Sequence, residues 1–77
     1  MKNLKNALQK ELITREKVAG DSGLELVIYD DMLALKSKTS YLECLHRIIS
    51  IAASVGNYGY YVGSVRNLPY IAFYKND

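Results

Sequence analysis

Folding residues 24–38 back on themselves at Asp30-Asp31 sets Ile28 opposite Leu33 and Leu26 opposite Leu35 on one side of a two-stranded ribbon. The other side then pairs Tyr29 with Met32, Val27 with Ala34, and Glu25 with Lys36. One choice of turn separates the larger aliphatic side chains from the rest and places opposite charges face to face, and a slip of one residue would undo both. Asp-Asp is weaker turn chemistry than Asn-Gly, so a longer loop is also compatible. Residues 58–75 behave in the same way. With Arg66-Asn67 as the loop, Val62 faces Ile71 and Tyr60 faces Phe73, while Gly59, Tyr61, Gly63, Tyr70, Ala72 and Tyr74 share the opposite side. Pro69 has no N–H to donate to a ladder, so the final strand is expected at a sheet edge, at least near its start.

Each hairpin follows a helical pattern. In residues 3–18, Leu4, Ala7, Leu8, Leu12 and Val18 fall on one stripe at 100° per residue. Glu11 and Arg15 lie within that stripe at the spacing of an i,i+4 ion pair. The run Gly20-Asp21-Ser22-Gly23 then breaks the pattern. A second helix is expected to start at Ser40-Tyr41-Leu42-Glu43, which has the form of a capping box with Ser40 as N-cap and Glu43 reaching back. It runs to Val55, and Gly56 stops it. Leu42, Cys44, Leu45, Ile48, Ile49, Ile51, Ala52, Ala53 and Val55 cover more than half its circumference, so this helix is expected at the centre of the core.

The order helix–hairpin–helix–hairpin predicts an α+β domain spanning residues 1–77, α-β-β-α-β-β, with one four-stranded antiparallel sheet and both helices on one face. The helix-facing side of the sheet is expected to carry Leu26, Ile28, Leu33, Leu35, Tyr60, Val62, Ile71 and Phe73. The opposite side is then left with Val27, Tyr29, Met32, Ala34, Tyr61, Tyr70, Ala72 and Tyr74, and with Glu25 and Lys36 at a margin. A solvent-facing sheet surface ordinarily alternates to polar residues, so this composition points to an interaction surface. Tyr29, Met32, Tyr61, Tyr70 and Tyr74 are the candidate partner-binding residues, since tyrosine offers an apolar ring and a hydroxyl that can stay wet.

Composition narrows the remaining options. A chain of 77 residues buries only about 60% of the surface its unfolded form exposes. Domains this small usually add disulfides, a metal or a partner. Cys44 is the only cysteine and His46 the only histidine, which argues against an internal disulfide and against a structural zinc site. Self-association is the route that remains. A net charge of +2 lacks the basic excess of a dedicated duplex-DNA binder. No apolar run approaches the ~20 residues that span a bilayer, and Lys2 and Lys5 are followed by no apolar signal-peptide core. A cytoplasmic protein with no membrane partner is expected, with Cys44 kept reduced there.

The sequence offers little for catalysis. His46 lies four residues from Ser50 and three from Glu43 on the polar strip of the second helix, without an oxyanion pocket. Cys44 falls on the apolar side, where a small core residue is expected. Asp21, Asp30 and Asp31 lie in turns, where aspartate bonds to backbone, and do not follow an EF-hand spacing. No catalytic residue, cofactor or metal site is predicted. The stretch Tyr58-Gly59-Tyr60-Tyr61-Val62 is similar to the aromatic part of the RNA-recognition-motif signature, but the Lys/Arg-Gly opening is absent and the order of strands and helices differs. Tyr61-Val62-Gly63-Ser64 with Asn67-Leu68 is similar to the second half of the GIY-YIG nuclease motif, whose other parts are missing. These fragments identify no family.

The expectation is a small non-enzymatic protein-binding module acting through the tyrosine-rich face. Its partner is a second copy or a larger protein, which it serves as adaptor or inhibitor. Free-standing domains of this size, including those of phages and mobile elements, often work in that way. The alternative is binding of single-stranded nucleic acid, with the same rings stacking on unpaired bases.

Overall fold

The computed structural model describes residues 1–42 and 44–75. Its elements are α1 (Lys2–Ala19), β1 (Leu24–Ile28), β2 (Met32–Ser37), α2 (Leu45–Val55), β3 (Tyr58–Val65) and β4 (Leu68–Lys75). The four strands form one antiparallel sheet in the order β1-β2-β4-β3. This is the expected α+β architecture.

Both hairpins adopt the registers that the side-chain pattern dictates. Leu26 pairs with Leu35, Ile28 with Leu33 and Glu25 with Lys36. The Tyr29 N–H donates to the Met32 carbonyl at 2.8 Å, which closes a two-residue loop of Asp30 and Asp31. In the second hairpin Val62 pairs with Ile71 and Tyr60 with Phe73. Arg66 and Asn67 both have positive φ, 54° and 66°. That is the requirement of the type I′ turn, whose twist matches the strands it joins.

Leu33, Leu35, Ile71 and Phe73 pack against Leu4 and Leu8 of α1 and Ile48 and Ala52 of α2. Both helices therefore cover one face of the sheet, centred on β2 and β4. Cover is thinner at the two outer strands. Ile28 on β1 and Tyr60 and Val62 on β3, all expected beneath the helices, remain about half exposed. α1 ends where Gly20 turns left-handed at φ 84° and donates its N–H to the Glu16 carbonyl. The last α1 side chain packed on the core is Leu12. Val18, expected on the buried stripe, is 85% exposed, because the final turn of the helix projects beyond that core.

Four expectations are corrected. The second helix starts at Leu45, not at Ser40. Ser40 lies in the bend that precedes it, and Glu43 lies outside the described residues. The physical cause is the segment just upstream. The Ser37 hydroxyl donates to the Tyr41 carbonyl at 2.7 Å, Thr39 donates to the same carbonyl at 2.9 Å, and the Thr39 N–H donates to Ser37 Oγ at 3.1 Å. These local bonds occupy a carbonyl that a helix starting at Ser40 would need. Cys44 becomes the N-cap at a left-handed φ of 57° and is exposed instead of being a core residue. Nor is α2 the centre of the core: it lies on one face, with only Ile48 and Ala52 buried and Ile49, Ile51 and Val55 half-buried.

The fourth correction concerns β4, which lies inside the sheet between β2 and β3. Pro69 is accommodated because the β2 ladder stops one residue short of it, at Lys36 opposite Tyr70. On the other side it pairs with Ser64 of β3. The two-residue loop makes Val65–Leu68 the closing hydrogen-bonded pair, so Ser64–Pro69 is a pair that exchanges no ladder bonds. The start of β4 thus has an edge on its β2 side, as proline requires.

The two helices are also clamped at their surface. Arg47 Nε donates to Glu11 Oε1 at 2.5 Å, and Arg15 Nη1 lies 2.8 Å from Cys44 Sγ. Glu11 therefore pairs across to α2, where the sequence spacing suggested a partner on its own helix. The Glu11 carboxylate holds the Arg47 guanidinium above its ordinary pKa, mainly through the hydrogen bond. No described helix is long and apolar enough to cross a membrane.

Candidate functional site

Strand alternation carries Tyr61 of β3, Ala72 of β4 and Ala34 of β2 to the face turned away from the helices, in one row across the sheet. Ala34 and Ala72 are buried although no helix covers them. Their cover comes from the larger side chains around them. Tyr29, Met32, Tyr61, Val65 and Tyr70 rise around a floor of Ala34 and Ala72, with Lys36 at the rim, and enclose a shallow hollow of about 160 Å³.

Four of the five expected partner-binding residues are bound together by direct contacts. Tyr61 sits in the middle: its ring is 6.1 Å from that of Tyr70, edge to face, and 6.4 Å from that of Tyr74, tilted. Both spacings are within the range of favourable aromatic pairs. The Tyr61 hydroxyl lies 3.5 Å from Met32 Sδ. Tyr29 stands across the hollow from this row. Tyr29, Tyr61 and Tyr74 keep nearly half of their surface exposed, and Met32 and Tyr70 are half-buried.

The glycines of β3 have a specific use here. Gly59 lies opposite Tyr74 and Gly63 opposite Tyr70. A Cβ added to Gly59 would sit on the Tyr74 ring, and one added to Gly63 would fall 2.7 Å from the Tyr70 hydroxyl. The rings thus lie flat over backbone that has no side chain of its own, an aromatic cover for glycine on an outer strand. The glycines are filled by these rings and do not leave them standing free.

The five residues expected from the pattern leave out Val65, Leu68 and Lys36. Val65 and Leu68 flank the turn as an exposed apolar pair on this face. They have the parity of Tyr61 and Tyr70, and that parity was the signal that could have found them. Among the described strand residues, this face carries two charged side chains, Glu25 and Lys36, which oppose each other across β1 and β2.

The remaining polar residues form no comparable constellation. His46 and Ser50 are exposed on α2, and Glu43 lies outside the described residues. Among the described residues no three His, Cys, Asp or Glu side chains come together as a group that could hold a metal ion. Asp21 serves the backbone, accepting from the Gly23 N–H at 2.9 Å and from Lys38 Nζ at 3.2 Å. The backbone bond first, and Lys38 second, hold its carboxyl below the ordinary aspartate value. No protein-family model matches the chain, and no curated protein and no solved structure matches it either.

Proposed function

We propose that this chain is a small non-enzymatic protein-binding module of the cytoplasm. It docks a larger protein on the tyrosine face of its sheet and acts as an adaptor or inhibitor. The observation that carries this reading is the continuous surface of Tyr29, Met32, Tyr61, Tyr70 and Tyr74 around a floor of buried alanines. Half-exposed tyrosines around a small hollow suit a partner that inserts one apolar side chain and bonds to the hydroxyls at the rim. Single-stranded nucleic acid would also stack on such rings, but it needs cations along its phosphate track, and among the described residues that line the hollow Lys36 is the one cation.

The test is capture from the native host with wild type and with Tyr29→Ser/Tyr61→Ser. These two rings cover no glycine, so their removal leaves Tyr74 over Gly59 and Tyr70 over Gly63 in place. Interfacial tyrosines commonly contribute more than about 1 kcal/mol each, so a partner protein held by wild type should be lost by the variant while circular dichroism is unchanged. Retention by the variant would sink the reading. Capture that collapses in moderate salt and after nuclease treatment would assign the face to nucleic acid instead.

A further inference from the structure

The outer edge of β3 is unlike that of a protected edge strand. β3 is the last strand of the sheet, eight residues long, and no described strand pairs with its outer side. Its sequence, Tyr-Gly-Tyr-Tyr-Val-Gly-Ser-Val, contains no charged residue and no proline. Soluble proteins ordinarily guard such an edge with lysine, proline, a bulge or a short strand, since its unpaired N–H and C=O groups are a template for another chain. The opposite edge follows that rule, for β1 has five residues and carries Glu25. β3 also exposes apolar side chains on both faces: Tyr60 and Val62 toward the helices, Tyr61 and Val65 away from them.

We infer that β3 is a self-association edge, at which two copies of this chain pair β3 antiparallel to β3 and merge their sheets into one of eight strands. Three features select a second copy over an unrelated strand. An amphipathic strand offers apolar side chains on one face only, whereas the β3 edge needs them on both, and β3 itself supplies them. Its lack of charge leaves nothing to repel when it meets its own image. The register is self-consistent as well. The two-residue loop turns the backbone groups of Gly59, Tyr61, Gly63 and Val65 toward β4, so those of Tyr58, Tyr60, Val62 and Ser64 point outward. A two-fold axis at Tyr61 then matches Tyr60 with Val62 of the second copy and Tyr58 with its Ser64, and every outward group finds a partner. Tyr61 meets its counterpart at the axis, which joins the two tyrosine rows. The contact is isologous and closes as a dimer, since the guarded β1 strands become the ends of the sheet.

The inference rests on the edge and not on the tyrosine face, so it stands or falls apart from the docking role. The experiment is sedimentation equilibrium from micromolar to millimolar concentration on wild type and Val62→Pro. Proline at 62 removes one outward N–H and is tolerated on an edge facing solvent. The expected result is a wild-type dimer and a monomeric variant with a native circular-dichroism spectrum. A wild type that remains monomeric throughout overturns the inference, and so does a folded variant that still dimerises. If the variant unfolds, hydrogen exchange of wild type decides: the Tyr60 and Val62 amides protected at high concentration and released on dilution support the edge pairing, and the same amides exchanging freely at both concentrations overturn it.

Discussion

A glycine facing a tyrosine is the smallest unit of this surface. Gly59 beneath Tyr74 and Gly63 beneath Tyr70 convert two weak strand positions into ring-on-backbone packing. Tyr70 and Tyr74 therefore have a stability role in addition to any contact with a partner. Tyr70→Ala or Tyr74→Ala is expected to cost about 0.5–3 kcal/mol, read as a shift in the denaturant midpoint. Tyr29→Ala, which uncovers no glycine, should cost less than either. The second turn permits a change in the opposite direction. Arg66 and Asn67 hold positive φ, a conformation that costs an ordinary L-residue roughly 1–2 kcal/mol. Replacing the pair by Asn-Gly should stabilise the domain by about 1 kcal/mol without altering the sheet, and a melt of the double variant beside wild type measures it.

The elements show which signals in the chain could be read and which could not. Both hairpins were legible to the residue because a side-chain period of two makes any wrong register place aliphatics and polar groups on the same side. α1 was legible for the same kind of reason. The start of α2 was not, because Ser40 and Glu43 have cap-like identity and spacing while the Tyr41 carbonyl, which a helix starting there would use as an early acceptor, is already taken by Ser37 and Thr39. A local pattern cannot report that competition. Ser40→Ala should accordingly change stability by less than about 0.5 kcal/mol, whereas a true N-cap would be worth about 0.5–2 kcal/mol. Ile48, 2% exposed, should cost about 2–5 kcal/mol on truncation to alanine, and half-buried Ile49 should cost less. The bend between α1 and β1 adds a pH-dependent contribution. The Gly23 N–H and Lys38 depress the Asp21 pKa in the folded state. The stabilisation is therefore present above the ordinary aspartate range and fades as the pH falls through the folded value. Asp21→Asn should be less stable than wild type at neutral pH, and the gap should close in acid.

At the scale of the whole molecule, the candidate site was legible as a set of residues but not as a shape. Parity alone assembled Tyr29, Met32, Tyr61, Tyr70 and Tyr74 on one face. The strand order β1-β2-β4-β3, which puts β4 inside and leaves β3 outermost, depends on how the two hairpins meet, and the proline misdirected that choice. The outcome matters for stability. A small domain of this kind has a core worth only roughly 3–5 kcal/mol net, and helix cover here is thin over β3, with Tyr60 and Val62 half exposed. The inferred pairing at the β3 edge would add an interface where the monomer is least covered, so folding and association would be linked. Each tenfold rise in protein concentration then adds about 1.4 kcal/mol per dimer, or ~0.7 kcal/mol per chain. For a domain of this size that is a rise in melting temperature of roughly 3–6 °C. Calorimetric melts over a hundredfold concentration range should show this climb for wild type and a flat line for Val62→Pro. A flat line for both would mean that the thinly covered edge adds nothing to stability, and that the monomer's own core carries the fold.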